Sequence, residues 1–196
     1  QFMKKKLFTL TLCIIMVVAI AVPAFAAEES EQITAVGGIA FPESYISKSN
    51  SLRVPLKIKV KGTSEYLNVY TSGSFGDGKS ISTWSWTADS TQKFIVYRGS
   101  DSITSIRMHD DIMYGLATSS GNCIVRYLPN VGNVNDVTIT SIHNQWIGAT
   151  YGWAFDLQSG GSLTATNTPT QVAGGYKVAW QNYTGSNRQV WNVDPF

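Results

Sequence analysis

The residues best suited to chemistry in this chain are amides and indoles set at recurring distances. Gln92, Asn135 and Gln189 each follow a β-branched residue (Ile81, Ile124 and Val178) by eleven positions. Each precedes an apolar residue, Phe94, Val137 or Trp191, by two. A primary amide holds an acceptor and two donors in one plane. An indole offers a broad apolar face and one polar edge. Together they suit a ligand with an apolar C–H face and a rim of hydroxyls, which describes a sugar ring. Trp84 stands three positions after Ile81, and Trp180 and Gln181 stand in the matching stretch before Gln189. Trp84 and Trp86 fall on one strand face, so one can pack while the other stays exposed. Asp156 is the one acid embedded in an apolar strand pattern, WAFDL, with Gly160 and Gly161 following. Its side chain either accepts hydroxyls or caps a turn.

Catalysis fits these residues less well. His109 with Asp110 and Asp111 is the only compact His/acid cluster, and it reads as a solvated turn. A metal site wants several converging ligands, and His143 lies far off in the sequence. Nucleophile-elbow, zincin and phosphate-loop motifs do not occur. Cys123, beside Ile124 and Val125, reads as a small buried hydrophobe and not as a thiol nucleophile. We therefore expect no enzyme, no metal and no cofactor.

The N-terminus explains the charge. Lys4 to Lys6 precede an apolar run from Leu10 to Val22, which Pro23 and Ala24-Phe25-Ala26 close. This is the pattern of a secretory leader, with cleavage expected after Ala26. The run is short for a spanning helix, so no stable membrane insertion is expected. The whole chain has 15 basic and 13 acidic residues, a net of +2. Without residues 1–26 three lysines leave and the balance becomes about −1. No clustered basic face remains to neutralise phosphates, so nucleic acid is an unexpected partner.

These side chains need rigid elements to position them. Residues 27–55 read as an arm or leader, with Ile39 and Phe41 docking onto the body. From Leu56 onward apolar and polar residues alternate at period two, as in Leu56 to Val60, which predicts half-buried strands. Short strand-like runs then alternate with glycine turns, and no segment sustains a helical stripe. The reading is all-β. The amide windows lie 43 and 54 residues apart, a period that indicates repeated units sharing one core. About four strands per unit predict a closed barrel with a cap. We place the units at about 56–99, 100–136 and 137–196. In that division YLNVYTSG, YGLATSSG and WAFDLQSGG are equivalent stretches.

The triple pattern of apolar-Asp/Asn-apolar, aromatic, then Gln-x-Trp resembles the ricin-B-type (QxW) β-trefoil lectin family. The resemblance spans roughly residues 56–196 and is clearest in the third unit. It implies a secreted lectin whose partners are cell-surface or polysaccharide glycans. In the first unit it implies a sugar site from Asn68, Trp84, Thr91 and Gln92, with Asn68 replacing the family's Asp. In the third it implies Asp156, Asn187 and Gln189, with Gln181 at the aromatic position and Trp180 one place earlier. The second unit has Ala117 and Tyr127 and is expected to be silent. Phe94 and Trp191 are expected to plug the barrel, and the glutamines either tie a turn or touch the sugar. The alternative implied by the same fold is a protein-binding trefoil, such as a protease inhibitor or a haemagglutinin-like toxin component. Its candidate projecting loop is Gln158 to Gly175.

Overall fold

Among the described residues the chain forms thirteen short strands, some alternating in burial as at Leu56–Val60 and others buried over three consecutive residues as at Ile81–Ser85. The computed structural model describes residues 39–49, 53–70, 76–171 and 175–196. The expected leader over 1–26, Cys13 within it, and residues 27–38 lie outside the described residues. The strands are β1 (Ile46–Ser47), β2 (Leu56–Val60), β3 (Glu65–Val69), β4 (Ile81–Ser85) and β5 (Phe94–Arg98). Next come β6 (Thr104–Met108), β7 (Tyr114–Ser119), β8 (Asn122–Tyr127) and β9 (Ile139–Ile147). The last are β10 (Thr150–Leu157), β11 (Ser162–Pro169), β12 (Tyr176–Gln181) and β13 (Trp191–Pro195). The helices among the described residues are 3-10 turns of three residues.

Pairing reveals a threefold plan. β3–β4, β7–β8 and β11–β12 are three antiparallel hairpins. β5–β6, β9–β10 and β13–β2 join the end of one unit to the start of the next. The hairpins meet each other at Lys177 with Ser82, Ala179 with Asn122, and Ser80 with Ile124. These three contacts are one contact repeated about an axis. Each unit therefore has four strands, β2–β5, β6–β9 and β10–β13. β1 lies outside the set and pairs in parallel with β5.

This grouping moves a boundary. The sequence reading opened the third unit at residue 137, but β9 pairs with β10 as β5 pairs with β6, so β9 closes the second unit. The WAFDL stretch is then a first strand, β10, and not a partner of YLNVY. The repeated Thr-Ser-Ile of ITSIRM and VTITSI invited the error, because a strand's sequence does not record which neighbour it will bond.

Equivalent places carry equivalent burial. Phe94, Ile139 and Trp191 begin the three closing stretches, and all are buried. Leu67, Leu116 and Leu163 form a second buried triplet, and Ile58, Ile106 and Phe155 a third. Trp191 also donates its indole N–H to the Leu163 carbonyl at 3.0 Å. Cys123 occupies the place of Ile81 and Val178 and is buried, and burial pushes its thiol pKa up. The arm docks through Phe41, whose ring meets Trp153 edge-on at 5.0 Å.

Packing is tight at Gly152 in β10. A Cβ there would lie 2.7 Å from Val190 Cγ1 and 2.8 Å from the Trp191 carbonyl oxygen. We expect Gly152→Ala to cost about 1–3 kcal/mol, as overpacked cores do. Urea unfolding would show a lower midpoint at unchanged slope; an unchanged midpoint would contradict the packing described.

Candidate ligand-binding site

The buried glutamines define the site. Gln92 is 0% exposed and ends the 3-10 turn Ser90–Gln92. Its Oε1 accepts from the Thr87 backbone N–H at 2.7 Å, and its Nε2 donates to the Ser85 carbonyl at 2.9 Å. Those two groups flank Trp86. The amide thus replaces a missing strand neighbour and fixes the backbone on both sides of one ring. Only a side chain with a coplanar donor and acceptor can do this.

The same device recurs at Gln189, which is 2% exposed. Its Oε1 accepts from the Thr184 N–H at 2.7 Å, and its Nε2 donates to the Asn182 carbonyl at 2.9 Å. The flanked residue is Tyr183. Trp86 and Tyr183 are 37% and 39% exposed, so each clamp presents an aromatic ring to solvent. The residue after each clamped threonine is left-handed, Ala88 with φ 61° and Gly185 with φ 72°. Two distant segments have converged on one loop geometry.

The second unit has no clamp. The β9–β10 register pairs Ile139 with Leu157 and shifts by a residue before Asp156. This puts Ile139 level with Phe94 and Trp191, and Val137 level with Gln92 and Gln189. Asn135, the expected amide, falls two residues short. Val137 instead joins a small apolar cluster with Ala117 and Ile124, against which Leu128 and Val131 pack. Hydrocarbon thus takes the places that Asn68, Ser82 and Gln92 hold in the first unit, through Ala117, Ile124 and Val137.

In the first unit the expected residues come together. The register pairs Tyr66 with Trp84 and Asn68 with Ser82, so Tyr66, Asn68 and Trp84 share a hairpin face. Asn68 Oδ1 accepts from the Thr91 hydroxyl at 2.9 Å, which orients its amide. Trp84 is half-buried, and Gly175 lies so close that a Cβ there would sit 2.9 Å from its ring. Trp86 is the ring left open, extended on one side by Tyr66 at 4.8 Å and on the other by Phe196 at 5.0 Å. Tyr66 and Phe196 were missed because neither belongs to the amide window.

The third unit is assembled differently from expectation. Trp180 is only 6% exposed and donates its N–H to the Ala117 carbonyl at 3.1 Å. It is a core residue and offers no ring face. Gln181 is exposed in the place of Trp84, and Asn187 is exposed at the start of its 3-10 turn. Thr164, paired with Ala179 as Asn68 is with Ser82, holds the Asn68 place and receives Gln189 Nε2 at 3.0 Å. Asp156 lies on β10, in the place of Lys59 and Arg107. It accepts from the Ser162 hydroxyl and pairs with His143 Nδ1 at 3.2 Å. The His143 ring meets Tyr183 edge-on at 4.9 Å, and the Tyr183 hydroxyl donates to Gln145 Oε1 at 2.7 Å. Burial and the Asp156 charge raise the Tyr183 pKa, keeping the phenol a donor.

This cluster contains serine, histidine and aspartate without forming a catalytic relay. A relay needs the serine on the nitrogen opposite the carboxylate. Here Ser141 and Asp156 both approach Nδ1, and Ser162 binds the carboxylate directly. Among the described residues no three His, Cys, Asp or Glu side chains converge as a metal site. A cavity of about 410 Å³ lies where the hairpins meet, lined by residues such as Ser82, Asn122 and Lys177. None of the expected site residues lines it.

Comparison with known proteins follows from this geometry. Neither family models nor curated proteins match the sequence. Among solved structures, the chain is similar to a designed three-fold symmetric protein, ThreeFoil, with a TM-score of 0.56 at 18% identity. That match covers 72% of this chain and 99% of the other. The fold is a β-trefoil. The trefoil also matches the C-half of an earthworm R-type lectin solved with GalNAc, at TM-score 0.53 and 14% identity, over 73% of this chain and 99% of that one. It matches a mosquitocidal holotoxin at TM-score 0.58 and 13% identity, covering 74% of this chain but spanning only 17% of the holotoxin. At such identities the likeness speaks to fold alone.

Two expectations test the clamp. Gln92→Leu leaves the Thr87 N–H and Ser85 carbonyl without their partner and should cost about 1–3 kcal/mol. Asn135→Ala, outside any clamp, should stay within about 0.5 kcal/mol. Equal effects in denaturant unfolding would refute the register assigned here. Asp89, which caps the turn below Gln92, is tested by pH. Burial disfavours its ionised form, but hydrogen bonds from Thr91 and Thr87 and the Lys93 charge outweigh this and hold its pKa below the usual value. Its contribution is therefore present above the ordinary carboxylate range and lost as pH falls through the lowered value. Asp89→Asn should flatten the acid limb of the stability profile, as followed by thermal melts from pH 6 downward.

Proposed function

We propose that this β-trefoil is an exported, non-enzymatic carbohydrate-binding protein with sites in its first and third units. The observation that carries the reading is the pair of exposed rings, Trp86 and Tyr183, each immobilised by a buried glutamine. A pre-positioned ring loses little freedom on binding, and its face suits the C–H side of a sugar. Oriented polar groups belong to each site: Asn68, held by Thr91, in the first unit, and Asp156 and Gln145 in the third. In this reading Thr91, Gln92 and Gln189 hold the site from beneath, while Trp84 borders it. That the earthworm lectin was solved with GalNAc supports a glycan as the ligand class. Export rests on the basic, apolar and A-x-A pattern of residues 4–26.

For the protease-inhibitor alternative, the middle of the candidate loop is strand. Within Gln158 to Gly175, residues Ser162–Pro169 form β11 and bond to β12, so they are not free to enter a protease cleft.

A glycan-array screen of the exported chain tests the proposal, with Trp86→Ala and Tyr183→Ala as paired variants. We expect selective binding that falls about tenfold or more for each lost ring, since 1.4 kcal/mol is a factor of ten. Full affinity in the double variant would remove these sites from the reading. Absence of signal on every glycan would remove the function.

A further inference from the structure

The two clamped rings sit among opposite charges. Lys59 and Asp156 hold the same place in their units, each paired with the first strand of the hairpin whose second strand leads to its ring. Around Trp86 the surroundings are cationic. Lys57 Nζ lies 5.8 Å from the Trp86 ring centre, Lys59 Nζ 5.8 Å from Tyr66, and Lys93 Nζ 4.5 Å from Phe196. Each ring of the Tyr66–Trp86–Phe196 row thus has its own ammonium group. Lys57 and Lys59 are two apart on β2 and share a face.

These ammonium groups are not spent on internal pairs. Among the described residues, none of the three forms an ion pair with a carboxylate. The nearby acids Asp89 and Glu65 hydrogen-bond to threonines rather than to these lysines. Asp89 is held by Thr87 and Thr91, and the Glu65 carboxylate accepts from Thr83 at 2.7 Å. Asp194 stands opposite Lys57 across β13–β2 and the Lys93 charge reaches Asp89, yet none of these carboxylates closes an ion pair, so the three ammonium groups keep their donors for a ligand. Free ammonium donors beside aromatic rings suit a ligand with an anion next to an apolar face. A row of three rings also offers more stacking surface than one sugar ring covers.

We infer that the first-unit site takes an acidic saccharide chain, in which sugar rings meet the aromatic row and carboxylates meet Lys57, Lys59 and Lys93. This rests on the carbohydrate-binding reading and names its ligand class. The third-unit site, with Asp156 under Tyr183, repels such a carboxylate and is left to neutral sugar. Single-stranded nucleic acid also combines rings with charge, but it needs a basic groove along its backbone, and three lysines make only a patch.

The test compares an oligogalacturonate with its methyl ester, which has the same rings and linkage without the charge. Calorimetric titration of the full chain should give at least tenfold tighter binding of the free acid at low salt. The gap should narrow as salt screens the exposed cations. Lys57→Gln with Lys59→Gln should bring the free acid down to the ester's affinity without shifting the melting temperature. Equal binding of acid and ester would overturn the charge preference while leaving the carbohydrate reading intact. So would neutral glycans bound on the array with no uptake of the free acid. Single-stranded DNA binding as tightly as the uronate would overturn it as well, marking a general polyanion surface. Binding of no saccharide at all would overturn the carbohydrate reading with it.

Discussion

A loop that carries an exposed aromatic ring has a local problem. Its backbone polar groups point to solvent on one side and to the core on the other, with no neighbouring strand to bond. Gln92 and Gln189 solve this from below, each joining one carbonyl and one N–H across a single residue. Because both amides are buried, the alternative to these bonds is an unsatisfied polar group, and that asymmetry is what makes the arrangement firm. Ring position, loop handedness and the polar side chains around the ring all follow from it.

The second unit shows what happens when the amide is replaced. Val137 cannot bridge the loop, and its neighbours change with it: alanine at 117, leucine at 128 and isoleucine at 124 form a hydrocarbon patch. The barrel tolerates this because its stability comes from the buried triplets on the inner faces, which the second unit keeps. Core and site are therefore separable in this fold, the core repeating in all three units and the site in two.

Much of this was legible in the sequence. Alternation at period two, glycine turns and three amide windows lead to an all-β, threefold barrel, and two of the three amides mark the true clamps. Trp84 and Trp86 could be placed on one face, leaving burial to decide which was open. What failed did so for identifiable reasons. Asn135 matched by spacing alone, and a register shift in β9 is invisible to spacing. Asp156 matched by its apolar neighbours, which a first strand and a second strand share. Trp180 was an attractive aromatic, but one position in a strand is the whole difference between core and solvent. Tyr66, His143, Gln145 and Phe196 reach the rings only through pairing between distant strands.

The pairing of β13 with β2 closes the barrel by joining residues 56–60 to 191–195. Residues 191–195 pair there, and Phe196, hydrogen-bonded to the Pro55 carbonyl, completes the aromatic row. A polypeptide emerging from its N-terminus cannot make this seam until all the residues between the two strands have appeared. Contacts so far apart in sequence make for slow, late closure. Until the seam forms, Phe196 is missing from beside Trp86, so the aromatic row is completed only with the closing of the barrel.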